Sequence, residues 1–215
     1  MANKTDVIVV GPFQVNCYLV WEDSTGEGVI IDPGDEADLI FQRAAGHDIT
    51  PKAILLTHGH VDHIAAVGEV RQKYDIPLYV GREDASMLAN PSSNASAYLS
   101  DPIVVPEPDV LLDDEQLISF GTLSFRVLAT PGHTPGGVCF FDESPGILYC
   151  GDTLFQMSIG RTDLPGGSTD QLLESINSKI MTLPDSVVCY PGHGPWTTVG
   201  AERNGNPFLT GGFFA

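Results

Sequence analysis

Short apolar runs separated by turn residues form the dominant pattern of this chain. The runs are rich in Val, Ile, Leu, Tyr and Phe, and Gly, Pro, Asn and Asp bound them, which is typical of β-strands. The pattern predicts strands at residues 7–10, 17–21, 28–31, 53–56, 77–80, 110–112, 117–118, 123–128, 138–141, 147–150 and 187–190.

Apolar residues at helical spacing occur in three segments between these strands. Asp35 is predicted to cap a helix that continues to Ala44, and residues 63–74 and 169–180 carry apolar residues at helical intervals. Residues 90–108 are rich in turn formers and predict a long connection, either a lid over a site or a surface excursion. Strands in two runs with intervening helices predict an α/β protein with two sheets and helices outside them.

The size and charge of the chain narrow the classes of function. At 215 residues, one domain covering residues 1–215 is the simplest organisation, with two small domains as the alternative. The formal net charge is −18, from ten Lys and Arg against 28 Asp and Glu. Such a field repels phosphate backbones and anionic lipids, so neither nucleic acid nor a membrane is expected as a partner.

The N-terminal residues and the cysteines predict a cytoplasmic location. Residues 1–6 lack a charged segment followed by an apolar one, so no secretory signal is expected. No apolar stretch reaches the roughly 20 residues of a membrane span. The cysteines form no C-x-x-C pair and are predicted to be buried free thiols: Cys17, Cys139, Cys150 and Cys189.

Four potential metal ligands follow the predicted strand 53–56. They are His58, His60, Asp62 and His63, in the pattern H-x-H-x-D-H. On a strand-to-helix turn, His58 and His60 can reach one point, and Asp62 and His63 can reach a second, adjacent one. Uncompensated imidazoles and a carboxylate packed this closely would be costly without a cation, so the cluster predicts metal binding.

Three further donors share the same local setting, a turn directly after an apolar strand. His133 follows strand 123–128, Asp152 follows strand 147–150 and His193 follows strand 187–190. Gly or Pro beside each allows a tight turn and close backbone approach. The shared setting favours one assembled site. His47 lies at the end of a predicted helix without this setting and is predicted to be a surface residue.

The seven donors divide into two sets around two divalent ions. Three nitrogens form the first set, one oxygen and two nitrogens form the second, and one carboxylate can bridge both ions. The sets are His58, His60 and His133; Asp62, His63 and His193; and the bridging Asp152. Zinc accepts this mixture of nitrogen and oxygen most readily, with manganese and iron as alternatives.

The order of these motifs resembles the metallo-β-lactamase superfamily over most of the chain. GDTLF at residues 151–155, SIGRTDLPGG at 158–167 and NPF at 206–208 more narrowly resemble bacterial glyoxalase II-like hydrolases. The resemblance implies a four-layer αββα sandwich with both metals at one edge of the paired sheets. It also implies thioester hydrolysis, with S-lactoylglutathione as the reference substrate. Asp32 is expected behind the ligands as their support, although a turn former before Pro33 explains it equally well.

One feature departs from the glyoxalase II pattern. Full-length members carry an additional C-terminal helical region with cationic contacts to glutathione, whereas this chain ends 22 residues after His193. No separate glutathione-binding domain is therefore expected, and the thiol carrier stays open. Arg161, in a motif loop near a ligand, is a candidate substrate contact or an ordinary loop ion pair, and Arg203 is a weaker candidate.

The expected chemistry is dinuclear hydrolysis of a small-molecule thioester. Two cations lower the pKa of a bridging water toward about 7. Asp62 and Asp152 are the catalytic candidates: Asp62 would orient the nucleophile, and Asp152 would hold both ions. A thiolate leaves readily, so no separate protein acid is required.

Two other functions would use the same residues. A mononuclear iron persulfide dioxygenase would use His58, His133 and Asp152 as a two-histidine, one-carboxylate face. A non-catalytic metal-binding scaffold would only retain the ions. β-Lactam hydrolysis is less favoured, because a bridging Asp152 is foreign to that branch and no export signal is expected. The charge disfavours nucleic-acid cleavage.

Overall fold

Two six-stranded sheets form the centre of the molecule. The computed structural model describes residues 3–211; residues 1–2 of the N-terminal segment analysed above lie outside that range. The first sheet has the order β1-β2-β3-β4-β5-β6 and the second β14-β13-β10-β9-β8-β7. The strands are β1 Asn3–Val10, β2 Val15–Glu22, β3 Glu27–Ile31, β4 Thr50–Leu55, β5 Leu78–Gly81, β6 Val110–Leu112, β7 Leu117–Phe120, β8 Leu123–Ala129, β9 Val138–Asp142, β10 Ile147–Gly151, β11 Leu154–Phe155, β12 Ser158–Ile159, β13 Val188–Pro191 and β14 Thr197–Thr198.

Helices cover the outer face of each sheet. They are α1 Ala37–Gly46, α2 Val61–Ile64, α3 Val67–Tyr74, α4 Thr169–Ser175 and α5 Val199–Gly205. Ile40 of α1 and Val70 of α3 pack on the first sheet, while Leu172 of α4 and Val199 of α5 pack on the second. A separate apolar layer, including Ile31, Leu55 and other buried side chains, joins the two sheets. The result is the expected four-layer αββα sandwich, so the predicted fold class is confirmed.

Five strands end at the same edge of the sandwich. β3 and β4 run parallel in the first sheet. β10 and β13 run parallel in the second, and β8 has the same direction because β9 is antiparallel to both β8 and β10. Because parallel strands end at a common edge, the segments that follow these five strands can meet there.

Three predicted helices differ from the structure in detail. Glu36, not Asp35, occupies the N-cap of α1; its backbone is left-handed and its side chain makes no cap hydrogen bond. The predicted helix 63–74 is split into α2 and α3, because the Ala66 N–H donates to Pro33 O, 3.1 Å away, instead of to its own helix. The predicted helix 169–180 begins as α4 and continues from Ile176 to Ile180 in wider, π-helical turns. No helix among residues 3–211 is long and apolar enough to span a membrane.

Candidate metal centre

Each of the seven predicted donors lies in a segment that follows one of the converging strands. His58, His60, Asp62 and His63 follow β4, and one donor each follows β8, β10 and β13: His133, Asp152 and His193. Backbone bonds hold these segments together: Val138 N–H donates to Thr57 O at 2.8 Å, and Asn16 N–H donates to Gly192 O at 2.7 Å. Residues far apart in the chain therefore meet at the edge where the two sheets open.

His58, His60 and His133 form what we call the three-histidine site. Nε2 of His133 lies 2.9 Å from Nδ1 of His60 and 3.2 Å from Nε2 of His58. Nitrogens that share a zinc ion with bonds of about 2.0–2.1 Å lie at comparable separations. All three side chains are buried, with at most 4% of each residue exposed. The three rings therefore form a closed cluster of nitrogen donors.

Asp62, His63 and His193 form what we call the mixed site. Oδ2 of Asp62 lies 3.3 Å from Nε2 of His193 and 3.8 Å from Nε2 of His63. The His63 side chain is fully buried, but 28% of the His193 side chain and 19% of the Asp62 side chain are exposed. The mixed site therefore faces solvent more than the three-histidine site does.

Asp152 lies between the two sites. Its Oδ2 is 3.6 Å from Nε2 of both His133 and His193, and its Oδ1 is 3.5 Å from Nε2 of His63. Gly192 makes this approach possible, because a Cβ at that position would overlap Asp152 Oδ1. One carboxylate thus contacts donors of both sites, which is the placement that a bridging ligand requires.

The chemistry of these atoms fits bound metal ions. Within residues 3–211, the buried side-chain nitrogens and oxygens that lack a hydrogen-bond partner are His60 Nε2, His63 Nε2 and Asp152 Oδ1. An unpartnered buried polar atom is costly, and native proteins rarely contain one without an ion, a water or a function. Two of these atoms, His63 Nε2 and Asp152 Oδ1, face the other donors, which indicates that a cation completes the site; His60 Nε2 is the far nitrogen of its ring, because Nδ1 is the one beside His133.

Burial and neighbouring charges keep His58, His60 and Asp62 in the forms that bind metals, whereas at His63 and His193 burial is outweighed by the adjacent carboxylates, which raise the pKa. Burial and the neighbouring His133 lower the pKa of His60 to about 4, and burial with His63 nearby also lowers the pKa of His58. Burial opposes ionisation of Asp62, but His63 and His193 lower its pKa nevertheless. Neutral imidazoles and an ionised carboxylate are the forms that ligate metals.

Three of the ring nitrogens that face away from the centre are held by oxygen acceptors. His133 Nδ1 donates to Arg161 O at 2.7 Å, His193 Nδ1 donates to Phe13 O at 3.1 Å, and His63 Nδ1 donates to Asp32 Oδ2 at 2.9 Å. Each bond places the proton on Nδ1 and leaves Nε2 as the donor to a metal. Asp32, with a left-handed backbone, also accepts from the Thr57 N–H and hydroxyl.

Asp84 is a supporting residue that the sequence did not reveal. This fully buried carboxylate accepts from Gly59 N at 3.0 Å, from Thr134 Oγ1 at 2.7 Å and from Gly136 N at 2.6 Å. It therefore binds the turn containing His58 and His60 to the turn containing His133. Burial raises the pKa of Asp84 despite these hydrogen bonds. Asp84 follows β5 without any nearby donor motif, so no local signal marked it.

Glu202 is a second supporting residue that the sequence did not reveal. It is fully buried in α5, accepts from Met157 N at 2.8 Å and Thr197 Oγ1 at 2.5 Å, and receives an Asn206 amide bond at 2.8 Å. Asn206 also donates to Ser158 O at 3.0 Å. The hairpin of β11 and β12, itself not predicted, is thereby attached to the C-terminal helix. The NPF motif, which contains Asn206, is the sequence feature that could have pointed to this support of the hairpin.

An open cleft of about 780 Å³ lies over the cluster. His60, Asp62, His133, Asp152 and His193 contribute to its floor, and the walls are mainly apolar: Phe13, Val61, Ala95, Leu99, Phe155, Ile159, Leu164 and Pro195. Ala95 and Leu99 belong to the long connection 90–108, so part of that segment forms a wall of the cleft. Arg161 lies on the rim.

The two candidate substrate-binding arginines differ in position. Arg161 lines the cleft, but its guanidinium donates two hydrogen bonds to Asp163, at 2.7 and 2.8 Å. Arg203 is not among the cleft residues; it donates to Met181 O and Leu183 O and pairs with Asp185. The backbone after α4 engages the Arg203 guanidinium outside the cleft, so this position does not favour the substrate contact predicted for Arg203. His47 is exposed as predicted, stacked on Trp21.

An αββα sandwich with a His and Asp cluster at the open edge of its sheets is typical of metal-dependent hydrolases. The model of the metallo-β-lactamase superfamily matches residues 10–193, and the chain belongs to this family.

Relatives over the full length of the fold agree with this assignment. The chain is 43% identical to the probable metallo-hydrolase YqgX of Bacillus subtilis, covering 94% of this chain and 95% of the relative. It is 36% identical to the hydroxyacylglutathione hydrolase GloC of Haemophilus influenzae, with 95% and 97% covered.

Solved structures support the same family assignment. The crystal structure of the B3 metallo-β-lactamase BLEG-1 superposes with a TM-score of 0.92 at 43% identity, covering 96% of this chain and all of that one. The di-iron-bound form of TTHA1623 superposes with a TM-score of 0.83 at 36% identity, covering 95% and 100%. The family is that of metallo-hydrolases, and the clustered His and Asp side chains can hold its metal ions.

Proposed function

We propose that this protein is a dinuclear metal-dependent thioester hydrolase of the glyoxalase II type, with S-lactoylglutathione as a reference substrate. The observation that carries the proposal is the convergence of seven donors, among which His63 Nε2 and Asp152 Oδ1 are buried and have no hydrogen-bond partner. The 36% identity to a hydroxyacylglutathione hydrolase supports the thioester as the bond that is cleaved.

The three-histidine site and the mixed site would each hold one ion, with Asp152 shared between them. Two divalent ions bound there would supply an activated water as nucleophile and polarise the substrate carbonyl. We propose zinc for both positions, since the donors are five nitrogens and two carboxylates, and iron or manganese as alternatives. The di-iron-bound neighbour supports the stoichiometry of two.

The residues of the chain would orient the reactants. Asp62, partly exposed and 3.3 Å from His193, would accept a hydrogen bond from the attacking water and direct it at the carbonyl carbon. The backbone acceptors behind His133 and His193 would keep both rings from turning as charge develops. The leaving thiolate has a conjugate acid of pKa about 8.5, so it departs without a dedicated acid.

The test measures metal content and turnover on the same preparation. We expect two zinc ions per chain and release of thiol and lactate from S-lactoylglutathione, with both lost in the Asp152→Ala variant. One iron per chain together with oxygen uptake on a persulfide substrate would instead support the hypothesis of a persulfide dioxygenase. Full metal occupancy with no activity on any thioester would support a metal-binding scaffold.

β-Lactam hydrolysis is a second candidate, because a structure of a B3 metallo-β-lactamase is 43% identical to this chain. The same activated water could attack the strained amide of a β-lactam. Hydrolysis of a chromogenic cephalosporin at a rate above that of thioesters would favour this function.

The cellular location belongs to the proposal as well. The four cysteines are free and buried, which fits a reducing compartment, and we propose the cytoplasm. Secretion of the protein in active form would contradict this.

A further inference from the structure

The walls of the cleft are apolar, and the apolar surface continues beyond it. Phe13 and Leu99 stand at the rim with 53% and 37% of their surfaces exposed. A second cavity of about 320 Å³ begins at the same residues, Phe13, Val61 and Leu99, and runs on past Val10 and Ile103. Large apolar side chains left exposed beside a candidate active site indicate a ligand with apolar surface.

Away from the two metal positions, the side chains around the cleft offer little positive charge to an anionic substrate. All ten Lys and Arg residues of the chain lie within residues 3–211, and of these Arg161 alone lines the cleft or the second cavity. The second cavity is flanked by the carboxylates of Asp35 and Glu69. With a formal net charge of −18, the protein as a whole repels carboxylates.

The single basic side chain of the cleft is already engaged. The planar guanidinium of Arg161 faces the Asp163 carboxylate in a two-bond arrangement, which matches the geometry that Arg uses to bind a substrate carboxylate. Asp163 therefore occupies the place that a substrate carboxylate would take. Both side chains are more than 60% exposed, so the pair is weak and a substitution can open it.

We propose that the physiological substrate is a thioester that carries an apolar group of several carbons and no free carboxylate. This inference rests on the proposed function and narrows it. Hydrolysis adds water across the C–S bond: the acyl carbon gains the oxygen to give a carboxylic acid, and sulfur takes a proton to give the thiol. The apolar group would lie against Phe13, Leu99 and Phe155, and the carrier would meet no free basic side chain there.

A panel of three thioesters tests the proposal on the zinc-loaded protein. S-Lactoylglutathione and the lactoyl thioester of N-acetylcysteamine share the acyl group and differ in the charge of the carrier; the hexanoyl thioester of N-acetylcysteamine adds apolar carbons. We expect kcat/KM to be highest for the hexanoyl thioester, about tenfold or more above the lactoyl one, and lowest for S-lactoylglutathione. A preference for S-lactoylglutathione would overturn this inference and leave the proposed function intact. No hydrolysis of any member would overturn both.

Binding without turnover gives an independent measurement. S-Hexylglutathione and S-hexyl-N-acetylcysteamine present the same alkyl group, and neither is hydrolysed. By calorimetry, we expect the neutral thioether to bind more tightly. Tighter binding of the glutathione conjugate would contradict the proposal.

Two variants locate the effect on the named residues. Asp163→Asn frees Arg161 and should raise kcat/KM for S-lactoylglutathione about two- to fivefold, with no change for the neutral lactoyl thioester. Leu99→Ala should lower kcat/KM for the hexanoyl thioester more than for the lactoyl one. The control is Leu117→Ala, an exposed leucine on β7 away from the cleft, which should change neither. Equal effects of Asp163→Asn on charged and neutral substrates would refute the role of the ion pair.

Discussion

Asp84→Asn isolates the contribution of a residue that touches two ligand-bearing turns and, in the structure, no metal donor. The carboxylate accepts three hydrogen bonds, whereas an amide keeps one oxygen, so at least one bond becomes a contact between two donors. A hydrogen bond to a buried charged group contributes about 1.5–3 kcal/mol. With the amide oxygen at the Oδ2 position the bond from Gly136 is lost; with the oxygen at the Oδ1 position the bond from Gly59 is lost, and the Thr134 hydroxyl rotates to accept from the new amide.

The loss should appear in metal affinity because both donors lie beside ligands of the three-histidine site: Gly59 between His58 and His60, and Gly136 in the turn that contains His133. At about 1.4 kcal/mol per factor of ten, the lost bond corresponds to roughly 10- to 150-fold weaker binding there. Competition with a chromophoric zinc chelator measures the two binding constants separately. We expect one constant to weaken by this factor while the mixed site changes little.

Asp142→Asn is the matched control. Asp142 is also a buried aspartate, accepting from Asn3 at 2.6 Å, but it lies at the end of β9 outside the cleft. Both variants should lower the Tm of the metal-free protein, and only Asp84→Asn should weaken zinc binding. If Asp84→Asn bound both zinc ions with unchanged affinity, Asp84 would serve stability alone and the reasoning would be refuted.

Four further changes should have separable outcomes. Asp152→Ala should reduce bound zinc and abolish thioester hydrolysis; near-normal turnover would contradict the bridging role. Asp32→Asn removes the anionic acceptor of His63 Nδ1 and should weaken zinc binding at the mixed site by about 10- to 100-fold in the same chelator competition. Glu202→Gln should loosen the β11–β12 hairpin and raise KM while two zinc ions stay bound. Loss of zinc would contradict this, because it would mean that Glu202 supports the metal ligands and not only the hairpin. Removing metal should lower Tm, since binding to the folded state stabilises it, and readdition of zinc should restore it; an unchanged Tm would argue against a metal site.

The local features of the site could be predicted from the sequence because each depends on short-range chemistry. Strand runs were visible as apolar segments between turn formers, and the H-x-H-x-D-H motif placed four donors on one turn. The common setting of His133, Asp152 and His193 after apolar strands was also local, and it sufficed to predict that they assemble. The break between α2 and α3 was not visible, because its cause is a hydrogen bond to Pro33, some 30 residues earlier.

Tertiary structure alone decided which residues support the donors and what surrounds them. Asp84 is 25 residues from Gly59 and about 50 from Thr134 and Gly136, and Glu202 is 45 residues from Met157, so only the packed sheets and helices bring these partners together. The same holds for Arg203, a candidate substrate contact from the sequence, whose guanidinium donates to backbone carbonyls in the packed structure. A supporting carboxylate is recognised by its hydrogen-bond partners. The partners of Asp84 and the Met157 partner of Glu202 lie far away in the chain, so the neighbouring sequence does not reveal these roles.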